Sequence, residues 1–239
     1  MIRNKRALIV ATAIYLALQG ALTAVRYNSE GKVFVATSYG IVILACVFCA
    51  VSSFDKTWEY YTCQIGLIFT VAADYFLVVC DPQVKLEAMM LFSVTQLSYC
   101  ARLVVSDENK KRQRVQILCH VVLSVAMIVI TRLVLGKGCD PVAVVSMFYY
   151  ANLILNIVFS FIRFKKLYIF AIGLLLFAGC DTVIGLSLLK DFVSISQDSI
   201  IYKIIYPGFD LVWAFYIPSQ VLIGMSLVPE KIKKLKNKE

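Results

Sequence analysis

Residues 172–189 read "IGLLLFAGCDTVIGLSLL" and residues 65–79 read "IGLIFTVAADYFLVV". Each is an apolar run with one carboxylate inside it, Asp181 in the first and Asp74 in the second. Neither alternates with period two, as a strand of a membrane barrel would. The same texture fills the rest of the 239 residues, of which 60% are hydrophobic and 16% charged. A soluble domain is nearer 45–50% apolar and about 25% charged. Between short charged clusters lie apolar runs of about 19–22 residues, the length that roughly 30 Å of hydrocarbon demands of a helix. The fold class that follows is all-α, a polytopic transmembrane helical bundle forming one domain over residues 1–239.

Eight spans are predicted, at about 7–25, 33–53, 62–80, 84–106, 114–135, 140–161, 167–190 and 206–228. Lys and Arg number 16 in the termini and even-numbered loops and 7 in the odd-numbered loops. The positive-inside rule then puts both termini in the cytoplasm. An alternative stays open at the N-terminus, where "MIRNKR" and a later "ALTA" resemble a cleaved signal peptide that would leave seven spans. The net charge of +9 follows from orientation and anionic headgroups, so no nucleic acid is implied. Short loops and tail suggest a bacterial inner membrane.

No cofactor motif or metal centre is expected. His120 is the single histidine, and "CVFC" at 46–49 lies in a span, where thiols act as small apolar fillers. Cys80 and Cys139 both fall near the external face, which leaves a bridge between them open.

The two aspartate spans align without a gap. Gly66 precedes Asp74 by eight residues, as Gly173 precedes Asp181. Small residues flank each acid (Ala72 and Ala73; Ala178, Gly179 and Cys180), which lets helices approach closely in lipid. The span after each acid carries a hydroxyl–glutamine pair, Thr95–Gln96 and Ser219–Gln220. Spans three and four thus repeat as spans seven and eight. The even offset makes the repeat parallel, about an axis along the membrane normal. Spans one and two show no such echo of five and six.

Counted at 1.5 Å per residue, the acids lie roughly 9–13 Å below the external boundary and the glutamines about 18 Å. Span six adds a polar stripe at helical spacing, Tyr149, Asn152, Asn156 and Ser160. Four helices are therefore expected to aim polar groups at one interior zone. A lone amide in a membrane helix is usually glue between helices. An Asp there costs about 2.5–3.5 kcal/mol on insertion scales and needs a partner or a task. Asp210 reads as interfacial.

The segments "GLIFTVAADYFLVVCDP" (66–82), "TQLSYC" (95–100, with Gln96 and Tyr99), "CDTVIGLSLL" (180–189) and "YIPSQVLI" (216–223, with Tyr216 and Gln220) resemble, in that order, the YhhN family of lysoplasmalogenase-like membrane proteins. The family pattern often has His where this chain has Gln96. The resemblance implies hydrolysis of the vinyl-ether bond of a lysoplasmalogen. A membrane lysolipid would be the substrate, and a fatty aldehyde and a glycerophospho-headgroup the products. Asp74 and Asp181 would be catalytic, with Gln96, Tyr99, Asn152, Asn156, Tyr216 and Gln220 supporting or binding substrate. Vinyl-ether cleavage protonates the β-carbon and passes through an oxocarbenium ion, so it calls for a proton donor and a stabilising carboxylate, the logic of glycoside hydrolysis. The segment at 191–205, mildly amphipathic, reads either as an ordinary linker or as an interfacial cover over the cavity. Two alternatives remain at this level: a proton- or cation-coupled transporter, since intramembrane acids and repeats also mark transporters, and a non-catalytic lipid-binding relative, suggested by Gln96.

Overall fold

Ordinary capping chemistry decides where the helices start. Asn4 accepts from the Arg6 N–H and Asn109 from those of Lys111 and Arg112, while Asp140, followed by Pro141, accepts from Val142. These side chains satisfy donors that a first turn leaves orphaned. The computed structural model describes residues 4–53, 57–80, 82–136, 139–189, 196–206 and 208–236. Its helices are α1 (Lys5–Tyr27), α2 (Gly31–Ser53), α3 (Trp58–Asp74), α4 (Lys85–Val105), α5 (Lys110–Leu135), α6 (Pro141–Ile162), α7 (Phe164–Leu189), α8 (Ile200–Ile205), α9 (Leu211–Met225) and α10 (Val228–Lys236). Among the described residues, eight spans are long and apolar enough to cross a membrane, the last combining α9 with the start of α10. The protein is an integral, multi-pass membrane protein.

Three spans are less regular than the sequence suggests. After Asp74 the chain winds as a π-helix over Tyr75–Val79, and the Cys80 N–H bonds back five residues to the Tyr75 carbonyl at 3.0 Å. Leu167 (φ −115°, ψ 19°) breaks the first turn of α7. The last span starts at Leu211 rather than 206. Ser199 caps the separate short helix α8, and Asp210 then caps α9 by accepting from the Trp213 N–H. That span also pauses at Ser226, whose hydroxyl bonds the Ile223 carbonyl at 2.6 Å. The predicted interfacial cover falls partly on residues 191–195, which lie outside the described residues. Its remainder, α8, packs against α7. All eight cysteines are free thiols, so Cys80 and Cys139 form no bridge.

The helices α2, α3, α4, α6, α7 and α9 close a ring in which each touches the next and α9 returns to α2. Outside it, α1 lies on α2 and α5 lies on α6. Exchanging α1–α4 with α5, α6, α7 and α9 maps every one of these neighbour relations onto another. The repeat is therefore four helices long, twice the two-helix echo of the acids, and it includes the first two spans, where the sequence shows none. Packing contacts repeat with it. A Cβ on Gly66 would lie 2.3 Å from the Tyr99 ring, and one on Gly173 would lie 2.9 Å from Ile223 Cγ1. Tyr99 and Ile223 each stand three residues after their helix's glutamine. Glycine at these two places is what lets α3 and α7 press onto their partners.

The first helix is held into the bundle. Tyr15 stacks on Phe48 of α2 at 4.0 Å, and Gln19 donates to the Ile41 carbonyl. Arg26, 1% exposed, donates to Ser38 at 2.9 Å and pairs with Asp210 at 2.6 Å. The Phe34 and Trp213 rings each lie 4.4 Å from its guanidinium carbon. Asp210 is thus more than interfacial, since it joins the first span to the last.

Candidate active site

The π-helical turn leaves Asp74 at the end of regular α3, where its carboxylate points into the ring and is 3% exposed. Tyr216 on α9 donates its hydroxyl to Asp74 Oδ2 at 2.5 Å. Asp181, on α7, is half-buried and accepts a short hydrogen bond from the Tyr149 hydroxyl of α6. Hydrogen bonds to an ionised acceptor are roughly twice as strong as neutral ones. Both bonds use one carboxylate oxygen, and among the described residues none reaches the other oxygen.

The two acid–tyrosine pairs meet around one ring. Phe177 stands 5.5 Å from Tyr216 and 6.4 Å from Tyr149. Phe92 of α4 closes the other side, 5.8 Å from Phe177 and 5.7 Å from Tyr149. Asp181 lies within electrostatic reach of Asp74, and Tyr149 is within reach of both acids. Tyr39 on α2, the counterpart of α6, stands 6.3 Å from the ring of Tyr75, the residue after Asp74. The arrangement is a cluster of two carboxylates, phenols that orient them and apolar rings between.

The other residues singled out from sequence form a second layer. Asn156 donates to the backbone carbonyl of Gln96 at 2.8 Å and to its Oε1 at 3.1 Å. His120 of α5 then meets Asn156 Oδ1 through Nε2 at 3.2 Å, while its Nδ1 lies 2.9 Å from the Gln116 carbonyl. Asn152 donates to Ser124 and to the Phe148 carbonyl. Gln220 donates to Ser219. Tyr99 packs against Gly66 and meets Phe170 edge-on at 5.3 Å. Gln96, Gln220, Asn152, Asn156 and Tyr99 are all fully buried, and none bonds either aspartate. The expectation of one polar zone resolves into two. The depth count already separated acids from amides by several ångströms, and the stripe on α6 serves both levels, Tyr149 the acids and Asn156 the amides.

Deeper still, Arg102 is fully buried. It donates to Ser226 Oγ at 2.7 Å and Cys63 Sγ at 3.2 Å, lies over Phe170 at 4.1 Å, and has Glu59 at 3.8 Å. Arg102 and Ser226 each stand six residues after their helix's glutamine, so this contact joins equivalent points of the two halves.

The sequence model of the YhhN family matches residues 56–227, most of the chain and all four helices of the acid–amide repeat. The chain belongs to the YhhN family. No curated protein and no solved structure matches it. The YhhN match spans both aspartates, their tyrosines and the Gln96–Asn156–His120 cluster. Arg26 and Tyr39 lie in the hairpin before it.

Sequence reasoning missed His120 as a partner, Tyr149 as the ligand of Asp181, and Phe92 and Phe177 as walls. The signal for Tyr149 was its place on the α6 stripe. Phe92 stands four residues before Gln96, as Tyr216 stands four before Gln220. For His120 the only signal was a polar residue inside an apolar span.

Proposed function

We propose that the protein is a membrane-embedded hydrolase of lysoplasmalogen-type ether lysolipids. The observation that carries this reading is the pair of intramembrane carboxylates, each oriented by a tyrosine hydroxyl, with both tyrosine rings packed on Phe177. The family membership supports it.

One aspartic acid gives its proton to the β-carbon of the vinyl ether. The double bond's electrons form the new C–H bond, and the oxygen-bearing carbon becomes an oxocarbenium ion that the second carboxylate stabilises. Water adds to that carbon and leaves its proton on a carboxylate. The resulting hemiacetal breaks its bond to the glycerol oxygen, which takes up a proton as the hydroxyl loses one. The net reaction consumes one water and releases a fatty aldehyde and a glycerophospho-headgroup, and the site's proton is restored. Phe92, Phe177 and Trp213 suit an acyl-like chain entering between helices. Asp74 and Asp181 act as a unit, since interacting acids share their titration. Both termini face the cytoplasm in this reading, on the charge asymmetry of the loops, in a bacterial inner membrane.

The test is aldehyde release from a vinyl-ether lysolipid by purified protein between about pH 5 and 8, the range in which a site carboxylic acid must serve as donor. The saturated ether analogue serves as control. Absence of turnover by well-folded protein refutes the activity. Full activity in Asp74→Asn or Asp181→Asn refutes the mechanism.

A proton-coupled transporter is the second reading, and the π-helical turn directly after Asp74 favours it. Irregular backbone at membrane depth typically lines a cavity or ion path. Uptake into liposomes driven by a pH gradient, without aldehyde release, selects it. Lysolipid that co-purifies with an inactive protein selects a non-catalytic lipid binder instead.

A further inference from the structure

At the end of the bundle that carries the larger positive charge, the α4–α5 and α6–α7 loops enclose a groove of about 600 Å³. Four cations line it, Arg112, Arg163, Lys165 and Lys166, with Phe161 and Phe164 beside them. The two rings stack at 5.3 Å and are each 40% exposed, with Ile162 between them at 55%. Aromatic side chains at a membrane boundary sit at headgroup level.

The protein engages Arg112 and Lys166 but leaves donors on Arg163 and Lys165 without a protein acceptor among the described residues. Asp107 holds Arg112 through a two-point contact and lies 3.9 Å from Arg163 Nε. Arg163 Nη2 donates to the Leu103 carbonyl and Ser106 Oγ, and Lys166 Nζ to the Ser106 carbonyl, with Glu230 at 3.6 Å. Arg163 Nη1 is buried and has no hydrogen-bond partner, in a side chain only 8% exposed. An unpaired donor on a buried guanidinium is costly unless an acceptor arrives. Lys165 is exposed and makes no ion pair among the described residues. Glu108 is the second acid of the lining, so positive charge exceeds negative by two.

We propose that this groove binds the phosphate of an anionic phospholipid from the adjoining leaflet, with the phosphate oxygens on Arg163 Nη1 and Lys165 and an acyl chain along Phe161 and Phe164. The apolar rim commits the site to a lipid rather than to a free anion. Basic pockets between membrane helices recognise anionic headgroups by this combination. The site lies at the end opposite the aspartate pair and stands whether or not that pair is catalytic.

The experiment is native mass spectrometry of the full chain in detergent, titrated with phosphatidylglycerol or phosphatidylcholine. Wild type is expected to retain phosphatidylglycerol preferentially. Lys165→Gln lowers that preference about fivefold, the effect of one interfacial cation, and Arg163→Gln lowers it further. Arg163 also anchors two loops, so Lys165→Gln carries the test alone if Arg163→Gln does not fold. Equal retention of the two lipids by wild type, or an unchanged preference in Lys165→Gln, overturns the proposal. Displacement of phosphatidylglycerol by millimolar inorganic phosphate overturns it too, by making the site one for free anions.

Discussion

Asp74 and Asp181 occupy matching positions in two halves that pack alike, yet their surroundings differ. Asp74 is 3% exposed, ends its α-helix and is followed by five π-helical residues. Its hydroxyl partner, Tyr216, comes from the helix four residues before the repeat's glutamine. Asp181 is half-buried inside an α-helical stretch, and the equivalent position on its side is Phe92, which has no hydroxyl. Asp181 therefore draws its hydrogen bond from Tyr149 on α6. The comparison teaches that duplicated helices fix where two acids sit, while single residues on neighbouring helices fix how each acid is held. Two carboxylates with unequal access can divide the labour of a proton donor and a charge stabiliser.

Changes at the acids themselves test the comparison most severely. Asp74→Asn and Asp181→Asn are each expected to lower aldehyde release by about 10²–10⁴-fold, the usual weight of a positioned acid or base. If only one of them matters, the two halves are not one site. Next come the matched glycines. Gly66→Ala places a Cβ 2.3 Å from a ring wedged between α3 and α7, whereas Gly173→Ala meets the branched end of Ile223 at 2.9 Å. Overpacking costs about 1–3 kcal/mol, and thermal melts in detergent should show Gly66→Ala near the upper figure and Gly173→Ala near the lower.

The tyrosines give a smaller effect and a sharper comparison. Tyr216→Phe and Tyr149→Phe should each cost about tenfold in turnover, the worth of about 1.4 kcal/mol for a hydrogen bond to a charged group. Phe92→Tyr, which supplies the hydroxyl missing from the second half, should recover part of the Tyr149→Phe loss. No recovery would show that the halves are not interchangeable at this position.

The smallest expected effect lies outside the membrane. Arg112 beside Asp107, with the Asn109 N–H and Arg163, holds the Asp107 carboxyl below its ordinary 3.8, at about 2. A depressed folded-state value means the stabilisation is complete above about pH 4 and is lost as pH falls from there towards 2. Wild type should therefore lose several degrees of melting temperature across that window. Asp107→Asn should start lower and change less.

Much of this architecture was legible in the chain. Apolar run length gave eight spans close to those of the structure, because a helix in lipid must satisfy its own backbone and must cross a fixed thickness. The Gly–acid spacing revealed half of the repeat, since close helix approach demands small residues at fixed intervals. The other half was invisible because α1, α2, α5 and α6 repeat only as neighbours and are joined by different side chains, Gln19 and Arg26 in one half and Asn152 and His120 in the other. The π-helical turn after Asp74 was equally hidden, as Tyr75–Val79 is as apolar as any α-helical stretch.

What the sequence determined by itself was the membrane, the number of crossings and the presence of two costly acids in matched contexts, all set by solvation and by spacing along one chain. The tertiary structure decided which side chains meet those acids. It paired Asp74 with Tyr216 and Asp181 with Tyr149, put Phe177 between them, and set His120 against Asn156 one layer away. Those choices depend on how six helices rotate and slide as they close a ring, and that follows from the sum of all their contacts rather than from any one segment.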